Sequence, residues 1–179
     1  MNYFDKFVLA PYILKATSLI GVKRRCGGNQ FRHQFATLGI LLDYKYFDDS
    51  ILLKASLLHD LIEDWGSDQV DEIRNLDSDG PQVVDLIMEV TKSKSESKEV
   101  YLKRILETGS TRAKILKCAD RISNLTDMHL DSFSKERIPI YLDQTERYII
   151  PMALSIPNID FVKELADLII QRRELINEN

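Results

Sequence analysis

Ala55-Ser-Leu-Leu-His59-Asp60-Leu-Ile-Glu63-Asp64 is the stretch on which the reading of this chain turns. It is apolar except for Ser56 and four side chains near its end, and all four are of the kind that bind metals. On a continuous helix, His59 and Glu63 are spaced i, i+4, and so are Asp60 and Asp64. The four would then project from one stripe roughly 100° wide. Three carboxylates and an imidazole flanked by Leu57, Leu58, Leu61 and Ile62 repel one another and are costly to desolvate. A bound cation offsets both effects. The plainer alternative is a solvated polar face at a helix C-terminus, where acids oppose the helix dipole. Acid and histidine clusters beside apolar surface favour the site.

The pattern around this stretch is also helical. Strand signals are nearly absent, and long segments keep a period near 3.6 residues. Helices are expected over about 3–20, 31–46, 50–64, 68–76, 81–91, 97–108, 110–128, 135–154 and 158–177. Asp49-Ser50, Ser67, Ser110-Thr111 and Asn158 supply start signals, while Gly21 and Gly109 sit where helices should stop. The expected fold class is therefore all-α, and no linker divides the chain, so residues 1–179 are read as one domain. Gly21–Gln30 forms a basic, glycine-rich loop, Asp77–Pro81 a turn, and Thr91–Glu99 a polar tract read as a solvated linker. The final helices, over 135–177, are amphipathic and would close the bundle or meet a second subunit in a homo-oligomer.

Composition narrows the class. The chain has 179 residues, 44% apolar and 29% charged, which is an ordinary globular mix long enough for a full core. A net charge of −4 disfavours a partner that is a nucleic-acid polymer or a membrane surface. Cys26 and Cys118 form no zinc or disulfide pattern and suit a reducing, cytoplasmic setting. The N-terminal residues lack a basic n-region and do not read as a signal peptide. No apolar run reaches membrane-spanning length.

Two further positions complete a ligand set. Asp120 lies in Ala113-Lys-Ile-Leu-Lys-Cys-Ala-Asp120-Arg121-Ile-Ser-Asn124, on the apolar face carrying Leu116 and Ala119, with Asn124 one turn on. A surface pair between Asp120 and Arg121 is disfavoured, because adjacent helical residues do not face each other. His33 lies inside another apolar helical pattern. His33, His59, Asp60 and Asp120 offer two imidazoles and two carboxylates, a mixed set suited to a divalent first-row ion. Mn²⁺ is the leading candidate, and Fe²⁺, Co²⁺ and Zn²⁺ are chemically acceptable. Such an ion would activate water and polarise a phosphoryl oxygen. Glu63 and Asp64 would orient or deprotonate that water.

The order His33…His59-Asp60…Asp120 resembles the HD superfamily of metal-dependent phosphohydrolases. Within it the chain is most similar to the hydrolase domain of RelA/SpoT proteins and their small stand-alone relatives. The HDxxED motif is His59-Asp60-Leu-Ile-Glu63-Asp64, and K-x-A-D-R-x-x-N is Lys117-Cys-Ala-Asp120-Arg121-Ile-Ser-Asn124. Val90-Thr91-Lys92 matches a further segment and Arg24-Arg25-Cys26-Gly27, followed by His33, partly matches another, so the likeness runs over about residues 20–130. The resemblance implies a compact helical bundle with a central metal cleft. It implies hydrolysis of the 3′-pyrophosphate from the small nucleotide (p)ppGpp. Arg24 and Arg25 would meet the base or phosphates, Asn124 the sugar or nucleotide, and Glu63 with Asp64 the water.

The chain departs from the family pattern at Cys26, Gln30, Gln34, Trp65 and Asp127. Bulk at Trp65 and negative charge at Asp127 are expected to shrink the room for a second phosphate. Two alternatives follow: a phosphatase for another small nucleotide, or a metal-binding sensor without catalysis. Retention of Glu63 and Asp64 speaks against the sensor.

Overall fold

The computed structural model describes residues 8–130 and 137–177. Among them every regular element is helical apart from one isolated antiparallel bridge, Lys23 with Asn29. The all-α expectation is met. The start of the first expected helix, over 3–7, and the first two residues of the one expected over 135–154 lie outside the described residues.

The order is α1 (Ala10–Ala16), a 3₁₀ turn (Thr17–Gly21), α2 (Gln30–Asp43), α3 (Ser50–Ser56), α4 (Leu61–Trp65) and α5 (Gln69–Arg74). Then come α6 (Gly80–Val90), α7 (Lys98–Thr108), α8 (Thr111–Asp127) and a second 3₁₀ turn (Met128–Leu130). The chain ends with α9 (Arg137–Gln144), a π-helical turn (Thr145–Ile149), α10 (Ile150–Leu154) and α11 (Asp160–Asn177). Asp49 and Ser110 cap α3 and α8 with their side-chain oxygens, as their start signals predict. Asn29 and Ser97 do the same for α2 and α7. Each such cap is worth about 1 kcal/mol. The start expected at Ser67 falls instead at Asp68, whose side chain makes no cap bond. Gly109 is the residue that ends α7, and the position takes glycine because any Cβ there would stand 2.5 Å from the Ile105 carbonyl.

Helix α8 is the axis of the molecule. It packs against α2 and α11, and also against α6 and α10. Every residue from Ile115 to Ser123 is buried, so this helix has no solvent face along its middle. A helix surrounded on all sides should be apolar; this one carries Lys117, Asp120, Arg121 and Ser123 inside. Leu41, Leu52, Leu58, Leu116 and Phe161 are fully buried around it, each leucine contributing roughly 1.5–3 kcal/mol. Phe161, Leu165 and Ile169 are buried, so α11 closes the bundle.

Two expected helices are interrupted. The one over 50–64 breaks at Leu57–Asp60. Ser56 Oγ donates to the Leu53 carbonyl, and the N–H groups of Leu57, Leu58 and Leu61 each reach back three residues rather than four. The chain overwinds there and restarts at α4 with Asp60 in the N-cap position. Glu63 and Asp64 thus lie in the first turn of a new helix, and the conflict with a helix C-terminus disappears. The helix over 135–154 widens into the π turn before Pro151. Proline has no N–H for the Arg147 carbonyl and its ring crowds that oxygen. Both cysteines are free. Among the described residues no helix is long and apolar enough to cross a membrane.

Candidate functional site

The break in the helix positions His59. With the Ser56 carbonyl released from the helical ladder, His59 Nδ1 donates to it at 2.8 Å. That bond fixes the tautomer and leaves Nε2 as the free donor atom. His33, from α2, is held at both ring nitrogens: its Nδ1 meets Ser123 Oγ at 2.9 Å and its Nε2 lies 3.0 Å from Asp120 Oδ1. The two rings stand edge to face with centroids 5.2 Å apart. Asp60 Oδ2 lies 3.3 Å from His59 Nε2 and 3.6 Å from His33 Nε2. Gln34, fully buried, donates its amide to that same oxygen at 2.9 Å.

Asp120 comes from the middle of α8. Its Oδ2 accepts from Lys117 Nζ at 2.5 Å, and its Oδ1 accepts from Asn124 Nδ2 at 2.6 Å. Burial pushes the Asp120 carboxyl up, but the Lys117 ammonium and the two imidazoles outweigh it and hold it well below the usual range. For His59, burial pushes the pKa down, and the carboxylates of Asp60 and Asp120 bring it up to about 9. At 3.8 Å, however, Asp120 Oδ1 is beyond hydrogen-bond reach of His59 Nε2, which is buried without a hydrogen bond, Asp60 Oδ2 at 3.3 Å being its nearest carboxylate contact.

An unpartnered buried imidazole nitrogen costs on the order of 1–3 kcal/mol, so the site is built for something to sit there. His33, His59 and Asp60 offer ligand atoms that lie within 4.8 Å of one another. Asp120 Oδ1 joins them at 3.0 and 3.8 Å from the imidazole nitrogens. With ligand bonds of about 2.1 Å, neighbouring donors on one ion stand roughly 3–3.5 Å apart. The residues fit a divalent cation, which would take the place of the proton on His59.

A cleft of about 320 Å³ opens onto this cluster. All nine residues singled out in the sequence line it: the four above, Glu63, Asp64, Arg24, Arg25 and Asn124. Burial and the charges of Asp60 and Glu63 raise the Asp64 carboxyl to about 6, against the lowering pull of a weak 3.4 Å contact from Gln30 and of the His59 imidazole. Arg24 is not solvated in a loose loop: its side chain is 9% exposed, and it donates to Asp127 Oδ2 at 2.8 Å and to Asn124 Oδ1 at 3.0 Å. Asp127 therefore faces two arginines, since Arg32 lies 3.2 Å from the same oxygen. Trp65 is 54% exposed and is not among the cleft residues, so its bulk takes no room there.

Sequence reasoning gave no role to several cleft residues, among them Lys98, Lys117 and Tyr141. Lys98 opens α7 at the end of the tract read as a linker. That tract is ordered by Arg104, which pairs with Glu96 and donates to the carbonyls of Glu89 and Thr91. The protein atoms crowding the Lys98 ammonium, and repulsion from Lys117 and Arg121, lower its pKa to about 8, although much of the residue's surface is open to solvent. Lys117 was legible only as a motif letter, three residues before Asp120. Tyr141 arrives from α9, too far along the chain for any spacing to reveal. Its ring lies 3.9 Å from the guanidinium carbon of the buried Arg121.

No protein-family model matches the chain. It is 36% identical over 87 residues to the guanosine-3′,5′-bis(diphosphate) 3′-pyrophosphohydrolase MESH1 of Drosophila melanogaster, covering 47% of each protein. It is 31% identical over 131 residues to a probable guanosine-3′,5′-bis(diphosphate) 3′-pyrophosphohydrolase of Mycoplasma pneumoniae. That match takes in 65% of this chain and 17% of the relative. The chain thus spans about half the length of the first curated relative and a smaller part of the second. A solved structure described as a metazoan ortholog of SpoT that hydrolyzes ppGpp superimposes with a TM-score of 0.76 at 26% identity. That match covers 91% of this chain and 96% of the other. The resemblance read from the motifs is borne out: in sequence over part of its length, and in fold over nearly all of it, the chain is similar to ppGpp hydrolases of the HD type.

Proposed function

We propose that this chain is a metal-dependent phosphohydrolase that removes the 3′-pyrophosphate of (p)ppGpp, giving GDP or GTP and pyrophosphate. The observation that carries the reading is the unpartnered Nε2 of His59, facing His33, Asp60 and Asp120 at the foot of a cleft that also holds Glu63 and Asp64. The similarity to two pyrophosphohydrolases supports the substrate. Residues 1–179 act as one hydrolase domain, and the two free cysteines suit the cytoplasm.

His33, His59, Asp60 and Asp120 hold one divalent ion, Mn²⁺ first, with Fe²⁺, Co²⁺ and Zn²⁺ chemically acceptable. When bound, the ion supplies Lewis acidity, making water easier to deprotonate and drawing charge from a phosphoryl oxygen. Asp64, poised near pH 6, takes a proton from the attacking water, and Glu63 orients it. The water oxygen bonds to phosphorus and the bond to the ribose 3′ oxygen breaks. The proton lost by water balances the one gained by that oxygen. Arg24, Arg25 and Asn124 hold the nucleoside, and Lys98 faces the phosphates, so that remote binding energy orients the reacting group.

Chromatography of the products from ppGpp and from guanosine monophosphates, with Mn²⁺ present, tests the reading. GDP with pyrophosphate is expected from ppGpp. Orthophosphate from the monophosphates with ppGpp untouched would overturn the substrate. Metal analysis should find about one ion per chain, lost in His59→Ala and Asp120→Ala; undiminished metal in both would remove them as ligands.

A further inference from the structure

Lys117 lies in the middle of α8 and is buried with its partner Asp120, their side chains 11% and 7% exposed. The two oxygens of Asp120 have different neighbours. Oδ1 accepts from Asn124 Nδ2 at 2.6 Å and lies 3.0 and 3.8 Å from the ring nitrogens of His33 and His59. Oδ2 accepts from Lys117 Nζ at 2.5 Å. The same ammonium stands 5.2 Å from the centre of the Tyr101 ring, and the Tyr101 hydroxyl is tied to the Val90 carbonyl. One oxygen thus belongs to the ligand set, and the other to an ammonium that is itself held in place.

This is an unfavourable place for a lysine if the cluster had only to bind a metal. An ammonium on Oδ2 and a divalent ion near Oδ1 share one carboxylate, and two positive charges so close repel where water does little screening. The opposite problem arises without the ion. A carboxylate as deeply buried as Asp120 is costly to leave without a positive charge beside it. Asn124 offers only a dipole. Arg121 is buried too, but its guanidinium lies over Tyr141 and donates to the Tyr141 carbonyl and to Thr145 Oγ1. His33 and His59 must give up any extra proton before they can serve as ligands. Lys117 supplies a charge that does not depend on the ion.

We propose that Lys117 is a positioning residue that stands in for the metal. It keeps Asp120 buried and aimed at the two imidazoles in the metal-free chain, and it weakens the hold on the ion once that ion binds. This rests on His33, His59, Asp60 and Asp120 being a metal site, but not on any substrate. The two effects are linked. Whatever Lys117 adds to the stability of the metal-free chain beyond what it adds to the loaded one is subtracted from metal affinity.

The test is titration of the full chain with Mn²⁺, the free ion being read by electron paramagnetic resonance, beside chemical denaturation with and without Mn²⁺. Lys117→Met keeps the unbranched stem and removes the charge. Lys117→Gln removes the charge and keeps a hydrogen-bond donor. Both variants should be less stable than the unaltered chain without metal. Both should nevertheless bind Mn²⁺ tighter by roughly 10-fold or more, because the ion recovers part of the cost of an unpaired buried carboxylate. Saturating Mn²⁺ should stabilise them by a correspondingly larger amount. If they are unfolded without metal, folding on addition of Mn²⁺ is the same result in its extreme form. Affinity that is weaker or unchanged in both, with stability lowered, would overturn the proposal and leave Lys117 a packing residue. So would variants that stay unfolded at saturating Mn²⁺, since the ion then cannot replace the ammonium. A tightening seen in one variant alone would overturn it as well, because the charge that both lack could not be the cause. If the unaltered chain binds no Mn²⁺, the ligand set falls and this inference with it. A bound ion whose affinity neither variant raises counts against Lys117 alone.

Discussion

Two buried lysines sit in this molecule among carboxylates, and only one of them belongs to a site. Lys54, on α3, donates to Asp77 at 2.6 Å and to Asp79 at 2.8 Å. Tyr12 and Ser50 donate to the same two carboxylates, and the Asp79 N–H closes back on Asp77. Burial raises the Asp77 carboxyl, but the bonds from Lys54 and Tyr12 outweigh it and leave it lowered. None of these residues has a buried polar atom left without a hydrogen bond. Around Lys117 the composition is similar, with Asp120, His33 and Asn124 joined at ordinary distances. The difference is in what is left without a hydrogen bond: Gln34 Oε1, Arg121 Nε and His59 Nε2 are all buried and unbonded there, and of these His59 Nε2 is the imidazole nitrogen set between the carboxylates of Asp60 and Asp120. A cluster of ionisable side chains is therefore not what marks the centre. The unfilled valence is.

The contrast breaks most visibly under stability measurement. Lys54→Met leaves two carboxylates without their cation and should lower the folding free energy by about 3 kcal/mol, the low end for breaking a buried pair because both carboxylates are partly exposed. Chemical denaturation reads this, and the metal bound per folded chain should not change. Metal loss in step with stability would mean that the two clusters are one.

On the other side of the comparison, Asp64→Asn and Glu63→Gln should leave stability and metal content alone and lower turnover by roughly 10²-fold. Asp64 must be deprotonated to accept a proton, and its folded pKa is raised to about 6. The rate should therefore climb as pH rises to about 6 and then level off, with a bound cation moving the limb lower. Asp64→Asn should abolish that limb. A limb that survives in the variant would assign it to another group.

The smallest expected effect sharpens the boundary of the centre. Gln34 holds the Asp60 oxygen that faces both imidazoles. Gln34→Leu should weaken metal binding by roughly 10-fold, the usual scale for a partner of a ligand, as read by competition with a chelator. Unchanged affinity would show that Asp60 needs no help.

Much of this was legible before any coordinates. The spacing of His59, Asp60 and Asp120 in apolar helical context carried the cluster, and Asp49, Ser110 and Gly109 marked their helix ends correctly. The helix break at Leu57–Asp60 was not legible, because Leu57-Leu58 has strong helix propensity and no glycine or proline marks the place where the hydrogen bonds shorten to three residues. Nor was the partner of Asp127 legible, since Arg24 is 103 residues away. Lys98 was hidden for a related reason: the polar tract before it reads as a linker until Arg104 is seen to tie it down.

Arg121 joins the centre to the end of the chain. Its guanidinium is buried beside Asp120, where it lies over Tyr141 and donates to the Tyr141 carbonyl and to Thr145 Oγ1 in the π turn. These acceptors come 20 and 24 residues later in the sequence. During synthesis, α8 leaves the ribosome with a cation in its middle that nothing yet receives. Burial of its charge therefore depends on the π turn, which is made after every residue of the Asp120 cluster.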